Sequence, residues 1–378
     1  VNTVTGRFPV AARDRLRAEA ERWERAGAVP RTAVATIART GALGAMVPAE
    51  YGGAPWSHAA YGDANRLLGT VSAAAQSLLT VHGMVCRSLA RWGAPAVRAD
   101  WLPRLAAGVE IGAFALTEEQ AGSDVSALTC TARPVPDGWR LTGVKRWISF
   151  GMLADVFLVF ARTPRGQAAF AVRADDPGLA REPEARTAGF RAAHLARLTL
   201  DDCAVPADRL VGRPGFGLAE VAARALTLGR LCVAFGALGV AEACRDATLH
   251  TAAQRRRFGR RLGEFQLVQG LIADTEVALE GARALAQRAA RALDDGDDWA
   301  VAQVLTAKLA ASRAARLAAD CSAQLHGAEG LAEGSPVERR SQDARVLEII
   351  EGNTQLLQQL IAEQVTARWR AATTGRDA

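Results

Sequence analysis

A chain of 378 residues with 49% hydrophobic content can bury a large core and divide into two or three layers or domains. The formal net charge of +6 rests almost wholly on arginine, because Lys145 and Lys308 are the only lysines, and without an aromatic-interleaved basic stripe it argues against nucleic-acid binding. Six cysteines (Cys86, Cys130, Cys203, Cys232, Cys244, Cys321) form no CxxC pair and five histidines show no ligand spacing, so neither disulfides nor a metal site are expected.

The first thirty residues interleave Arg13, Arg15, Arg17, Arg22 and Arg25 with Asp14, Glu19, Glu21 and Glu24, a pattern unlike a signal peptide. From about residue 10 to 110 the chain reads as helical, punctuated by ALGAMVPAEYGGAPWS. Residues 111 to about 212 change character. Short β-branched and aromatic runs (LTCTA, WRLTG, DVFLVFA, AAFAV, LARLTL) alternate with turn signals such as Pro136-Asp137-Gly138 and predict an antiparallel sheet. From Gly215 the pattern is helical again. Its longest uncharged run, Leu231 to Ala241, halts at Glu242, short of the ~18 to 20 residues that cross a bilayer, and predicts a core helix with no membrane insertion. Residues 264 to 293 place Leu267, Leu271, Ala278, Ala282 and Leu285 on one predicted face, and the DDGDD at 294 to 298 separates this helix from an Ala-rich one reaching about Gln324. The expected class is α+β, with a helical segment over 1–110, a β segment over 111–212 and a helical segment over 213–378, in a cytoplasmic protein.

Two segments carry the chemistry. Phe114 to Phe150, FALTEEQAGSDVSALTCTARPVPDGWRLTGVKRWISF, combines a small-residue turn, a hydroxyl and a tryptophan, as a site for a flavin's polar edge, face and phosphates would require. Far downstream, QLHGAEGLAEGSPVERRSQDARVLEIIEGNTQLL brings a carboxylate, Glu351. Together these segments resemble the acyl-CoA dehydrogenase family over nearly the whole chain. The resemblance implies that family's fold: an N-terminal helical domain, a middle antiparallel β-domain and a C-terminal four-helix bundle.

It also implies FAD as cofactor. By resemblance Phe114, Leu116 and Thr117 lie along the isoalloxazine, Gly122 and Ser123 approach the cofactor phosphate, and Trp147-Ile148-Ser149 covers the ring and donates near N5. QRRRFGRRLGEFQ is similar to the family's R-x-x-F-G, in which Arg255 and Phe258 would reach a neighbouring subunit's FAD, together with Gln324. A homodimer or homotetramer is therefore expected. Arg257 departs from the usual Thr or Gln, and Ala328 from a usual glycine. Glu351, followed by Gly352, stands where the family carries its catalytic base, while the alternative base position of other branches is Gly229. Ile350 replaces a tyrosine in the substrate wall, and Asn353 takes the place of a usual Thr beside the cofactor. Arg230, on an otherwise apolar helix, by resemblance faces the catalytic pocket, where it would orient Glu351 or meet a polar substrate group; a plain ion pair with an acid of the N-terminal segment is the alternative.

The implied activity removes an α-proton and a β-hydride from an acyl thioester on CoA or an acyl-carrier protein, with an acceptor such as an electron-transferring flavoprotein taking the electrons. A basic surface would suit a phosphorylated cofactor or an acidic carrier. One branch of the family handles short polar units on carrier proteins, in making hydroxymalonyl or methoxymalonyl extender units for polyketide biosynthesis. Ordinary short-chain acyl-CoA dehydrogenation, a flavin oxidase or monooxygenase, and a silent flavin-fold scaffold remain the alternatives.

Overall fold

The computed structural model describes residues 8–374. They form two compact units.

The first unit comprises the chain to Trp56, Ala74–Thr187 and Arg191–Gly229. Its helices are α1 (Val10–Ala26), α2 (Arg31–Ala38), most of α4 (Ala73–Trp92) and α5 (Pro95–Ala106). Its strands are β1 (Gly112–Ala115), β2 (Thr131–Val135), β3 (Gly138–Ile148), β4 (Val156–Thr163), β5 (Gly166–Arg173), β6 (Leu179–Pro183), β7 (Ala196–Pro206) and β8 (Leu210–Val211). They make one sheet in the order β6-β7-β3-β2-β4-β5-β8, with β1 beside β4. The expected antiparallel pattern holds except at β4, which β1 joins in parallel over four residue pairs and β2 at the single pair Thr131–Arg162. The β2–β3 hairpin intervenes in sequence between β1 and β4 and supplies the long connection that a parallel pair needs.

β4 is buried along almost its whole length because both of its faces are covered. Leu158 and Phe160 join Val85, Leu89, Trp101 and Leu105 of α4 and α5 on one side. Phe157 and Val159 join Leu141, Phe170 and Leu198 on the other. The predicted strand LTCTA begins late, at Thr131. The Glu118 carboxylate takes the N–H groups of Thr129 and Cys130, at 2.6 and 3.1 Å, in place of a strand partner. At the other edge, the Gly112 N–H donates to Nδ1 of buried His82 at 3.2 Å, tying β1 to α4. Burial pushes the His82 pKa down to about 4, so the ring stays neutral and keeps this acceptor.

The second unit comprises Ser57–Ala73, Ala188–Phe190 and the chain from Arg230. It holds α3 (His58–Val71), most of α6 (Ala223–Gln254), the two-stranded ribbon β9 (Arg256–Arg257) and β10 (Arg260–Arg261), α7 (Gln266–Asp295), α8 (Ala300–His326), α9 (Ala328–Leu331), α10 (Pro336–Ile349) and α11 (Thr354–Thr374). Gly296, at φ 70°, ends α7 within the acidic break. At Gly239 a side chain would come within 2.1 Å of the Arg66 carbonyl oxygen, so α3 and α6 pack backbone to backbone.

Two expectations need correcting here. The uncharged run Leu231–Ala241 is too short to cross a bilayer, but the helix that carries it is not, since it continues past Glu242. The helical stretch Gly217–Gln254 is long and apolar enough to span a membrane by length and composition, but 72% of its most apolar window is buried within the protein, as in a core helix. Glu242 continues that helix because Arg66 and Arg283 bind its two carboxylate oxygens at 2.8 and 2.9 Å. In α7 the inward face is Thr275, Leu279, Ala282, Ala286 and Ala289. Of the predicted stripe Ala282 is buried, whereas Leu267 and Leu271 are exposed.

Candidate active site

The Phe114–Phe150 tract folds into a braced platform in the first unit. The Arg146 N–H donates to the Thr117 carbonyl at 2.9 Å, joining the two halves of the tract directly. Beneath that bond lies a fully buried ion pair, with Lys145 Nζ 2.7 Å from Glu118 Oε1 and 3.2 Å from the Leu116 carbonyl. Burial works against the ionised Glu118, yet the hydrogen bonds from Lys145 and Thr129 hold its pKa below the ordinary carboxylate value. Each charge has its partner and further hydrogen bonds, the condition under which a buried pair is tolerated.

Trp147 stands out from this platform for a local reason. The β3–β7 pairing slips between Lys145 and Ile148, a bulge that inserts an extra residue. Trp147 occupies it at φ 57° and Phe150 follows at φ 60°, backbone values that cost a non-glycine residue roughly 1–3 kcal/mol. The bulge turns the indole outward, leaving it 44% exposed, and Arg146 lies over its ring at 5.3 Å from the centroid. Arg146 is itself clamped by Glu184 at 2.6 and 2.8 Å. An aromatic held outward by strain and a two-point clamp is suited to covering a planar ligand.

Not every residue named from sequence can offer its side chain. Leu116 and Ile148 are buried in the cores on opposite faces of the sheet and present only main-chain atoms. Phe114 is half-buried against Phe160, with centroids 5.1 Å apart, while Thr117 and Ser149 are partly exposed. Gly122 and Ser123 are exposed, and a side chain added at Gly122 would meet nothing within 4 Å. The chain's own packing therefore gives no reason for glycine there, which leaves room for close approach by a ligand. Asp124 stiffens the turn by accepting from the Ser126 N–H at 3.0 Å. These features fit the phosphate side of a flavin nucleotide.

The second unit supplies the carboxylate. Glu351 lies in the short turn between α10 and α11, at φ 55°. Asn353 Oδ1 accepts from the Leu356 N–H at 2.9 Å, so Asn353 caps α11 and Glu351 does not. Arg230 Nε donates to the Glu351 carbonyl at 3.1 Å. This contact fits the reading in which Arg230 orients Glu351. Glu351 Oε2 is buried without a hydrogen-bond partner. Burial raises the carboxyl pKa to about 7, against the opposing pull of Arg230 and Lys308. A desolvated carboxylate with a free oxygen and a pKa near neutrality is equipped to act as a general base. Ile350 precedes it in extended conformation and is partly exposed.

The R-x-x-F-G segment forms the β9–β10 ribbon at the end of α6. Phe258, at its tip, is 94% exposed at φ 50°. Arg255 Nη1 donates to the His326 carbonyl at 2.6 Å and the Leu325 carbonyl at 3.3 Å, at the C-terminus of α8 beside exposed Gln324. His326 is tied into the bundle through Thr251 and the Ser322 carbonyl.

The residues missed from sequence are bracing ones: Glu118, Lys145, Arg146 and Glu184 around the Phe114–Phe150 tract in the first unit, and Lys308 beside the Glu351 turn in the second. A signal existed. Where nearly every cation is arginine, the two lysines mark places that need a slender ammonium group, and both are fully buried.

Comparison with known proteins agrees along the chain. Residues 10–109, 113–203 and 217–366 match the family descriptions "Acyl-CoA dehydrogenase" N-terminal, middle and C-terminal domain, respectively. The chain is 34% identical over 346 residues to the human mitochondrial short-chain specific acyl-CoA dehydrogenase, covering 89% of this chain and 84% of the relative. It resembles a Mycobacterium smegmatis glutaryl-CoA dehydrogenase solved in complex with FADH2, with TM-score 0.91, 29% identity and coverage of 96% and 94%. FkbI, described as serving biosynthesis of the methoxymalonyl extender unit of the polyketide Fk520, aligns with TM-score 0.87, 33% identity and coverage of 94% and 98%. The chain belongs to the acyl-CoA dehydrogenase family and is an FAD-dependent oxidoreductase with that family's fold.

Proposed function

We propose that the enzyme dehydrogenates a short acyl thioester, with Glu351 as the base that removes the α-proton. The observation that carries this reading is the buried, unpartnered Glu351 Oε2. A carboxylate takes a proton from carbon only when it is poorly solvated and the substrate carbonyl is polarised. The left-handed backbone at Glu351 fixes its side chain relative to its own N–H, which the family pattern assigns to the thioester oxygen. Bound FAD supplies the hydride acceptor. Thr117, Ser123, Ser149 and the main chain of Leu116 and Ile148 would hold its polar groups, and Trp147 would cover the ring and limit water access. An electron-transferring flavoprotein would then accept the electrons.

A second reading refines the substrate to a short polar acyl group on an acyl-carrier protein, as in making extender units for polyketide biosynthesis. The likeness to FkbI supports it. So does the polar Arg230 beside the base, since a short polar acyl group offers little apolar area and recognition must rest on charge and on the carrier. Oligomer formation is part of the proposal. Leu267, Leu271 and Val277 on α7 and Phe258 on the ribbon are exposed apolar groups that suit a second copy of the chain. Six buried cysteines outside any disulfide suit a cytoplasmic setting.

The test is anaerobic flavin bleaching by butyryl-CoA, octanoyl-CoA and a three-carbon hydroxyacyl-carrier protein. Selective bleaching by the carrier-bound unit supports the refined reading. Fast bleaching by the plain acyl-CoAs alone rejects it and leaves acyl-CoA dehydrogenation standing.

A further inference from the structure

Lys308 lies in the middle of α8 with no solvent exposure. Its Nζ donates to the Gly352 carbonyl at 2.7 Å and reaches the Glu348 carbonyl at 3.4 Å. Glu348 belongs to the last turn of α10, where backbone carbonyls lack helical partners and carry the negative end of the helix dipole. Arg230, arriving from α6, holds the intervening Glu351 carbonyl at 3.1 Å. Two cations from two helices thus fasten three carbonyls of the segment bearing the carboxylate. None of these three bonds uses the carboxylate itself, and Glu351 Oε2 remains without a hydrogen-bond partner.

We propose that Lys308 is a positioning residue for the base: it anchors the Glu351 turn from beneath and sets the charge environment of its carboxylate. This deepens the assignment of Glu351 as base and rests on it. The anchor has to be an ammonium group. A neutral side chain could fill the space, but it would leave the end of α10 and the Gly352 carbonyl without a charged donor and the carboxylate with Arg230 alone.

The charged groups around Lys308 are Glu351, Arg230 and Glu348. Glu348 is engaged by Arg345 at 2.8 Å. Burial pushes the Lys308 pKa down to about 8, while Glu351 pulls it up and Arg230 opposes that pull. Lysine and carboxylate therefore titrate as linked groups, and each must respond when the other loses its charge.

The chain makes this directly observable, because Lys145 and Lys308 are its only lysines and selective lysine labelling yields two side-chain signals. In the FAD-loaded protein without substrate, the Lys308 ε-carbon signal should titrate near pH 8, and in Glu351→Gln its midpoint should fall by roughly one unit. In Lys308→Met, the acid limb of flavin reduction should move to higher pH by a similar amount, with the FAD content unchanged. Equal Lys308 midpoints in the wild type and Glu351→Gln would overturn the proposal, and this comparison holds even if Lys308→Met fails to fold. A shifted midpoint combined with full turnover by Glu351→Gln would support the coupling while removing Glu351 from its role as base, so the two failures are distinct.

Discussion

The raised pKa of Glu351 has a kinetic consequence of definite sign. The base works only when ionised, so the second-order rate of flavin reduction should rise with pH through the Glu351 pKa of about 7. With that midpoint, about nine-tenths of the carboxylate is ionised at pH 8 and about one-tenth at pH 6, so the rate should fall roughly tenfold between them. A carboxyl at its ordinary value of 4.5 would leave those two rates nearly equal. The same shift has a cost in stability. A carboxyl pKa raised by folding makes the native state bind more protons than the unfolded chain between pH 4.5 and about 7, so stability is lost as pH rises through that window. The loss is up to about 3 kcal/mol, and Glu351→Gln should therefore be more stable than the wild type at pH 8, with the gap closing toward pH 4.5. Anaerobic stopped-flow reduction from pH 5.5 to 8.5 and denaturant unfolding of both proteins measure these effects. A flat rate profile with no stability gain in the variant would refute the desolvated-base reasoning.

Glu118→Gln should leave Lys145 buried without its countercharge and cost about 3–5 kcal/mol, lowering both the unfolding midpoint and the ratio of bound FAD to protein; an unchanged midpoint would show the pair to be dispensable. Arg255→Ala frees the last carbonyls of α8 and should weaken FAD retention and subunit assembly together; sedimentation and flavin absorbance check this, and a wild-type monomer with full FAD occupancy would contradict the shared-site reading. Trp147→Ala should keep the fold while loosening the flavin, read as faster FAD release on dilution, because the indole is outward and already 44% exposed.

Much of the middle sheet was legible because β4 and β5 are apolar runs bounded by turn residues, and the acidic break between α7 and α8 because aspartates and glycine interrupt helical periodicity. Other features depend on tertiary partners. The late start of β2 is set by a carboxylate more than ten residues away, and the parallel β1–β4 pair by a long crossover. Periodicity marked Leu267 and Leu271 as apolar without showing that the chain's own core leaves them exposed. Motif resemblance singled out Trp147, Phe258 and Glu351 as candidates, but each adopts a positive φ that no residue preference at those positions would suggest. Motif matching also could not separate side-chain from main-chain roles, and Leu116 and Ile148 proved to be core residues in their side chains.

The most direct test of the account is anaerobic flavin bleaching by the reactive acyl thioester in FAD-loaded Glu351→Gln beside the wild type. The amide keeps the shape of the side chain and removes its basicity, so the variant should retain FAD and bind the thioester while its flavin stays oxidised. Bleaching of the variant at a rate close to that of the wild type would contradict the account, because the α-proton would then have left to some other group.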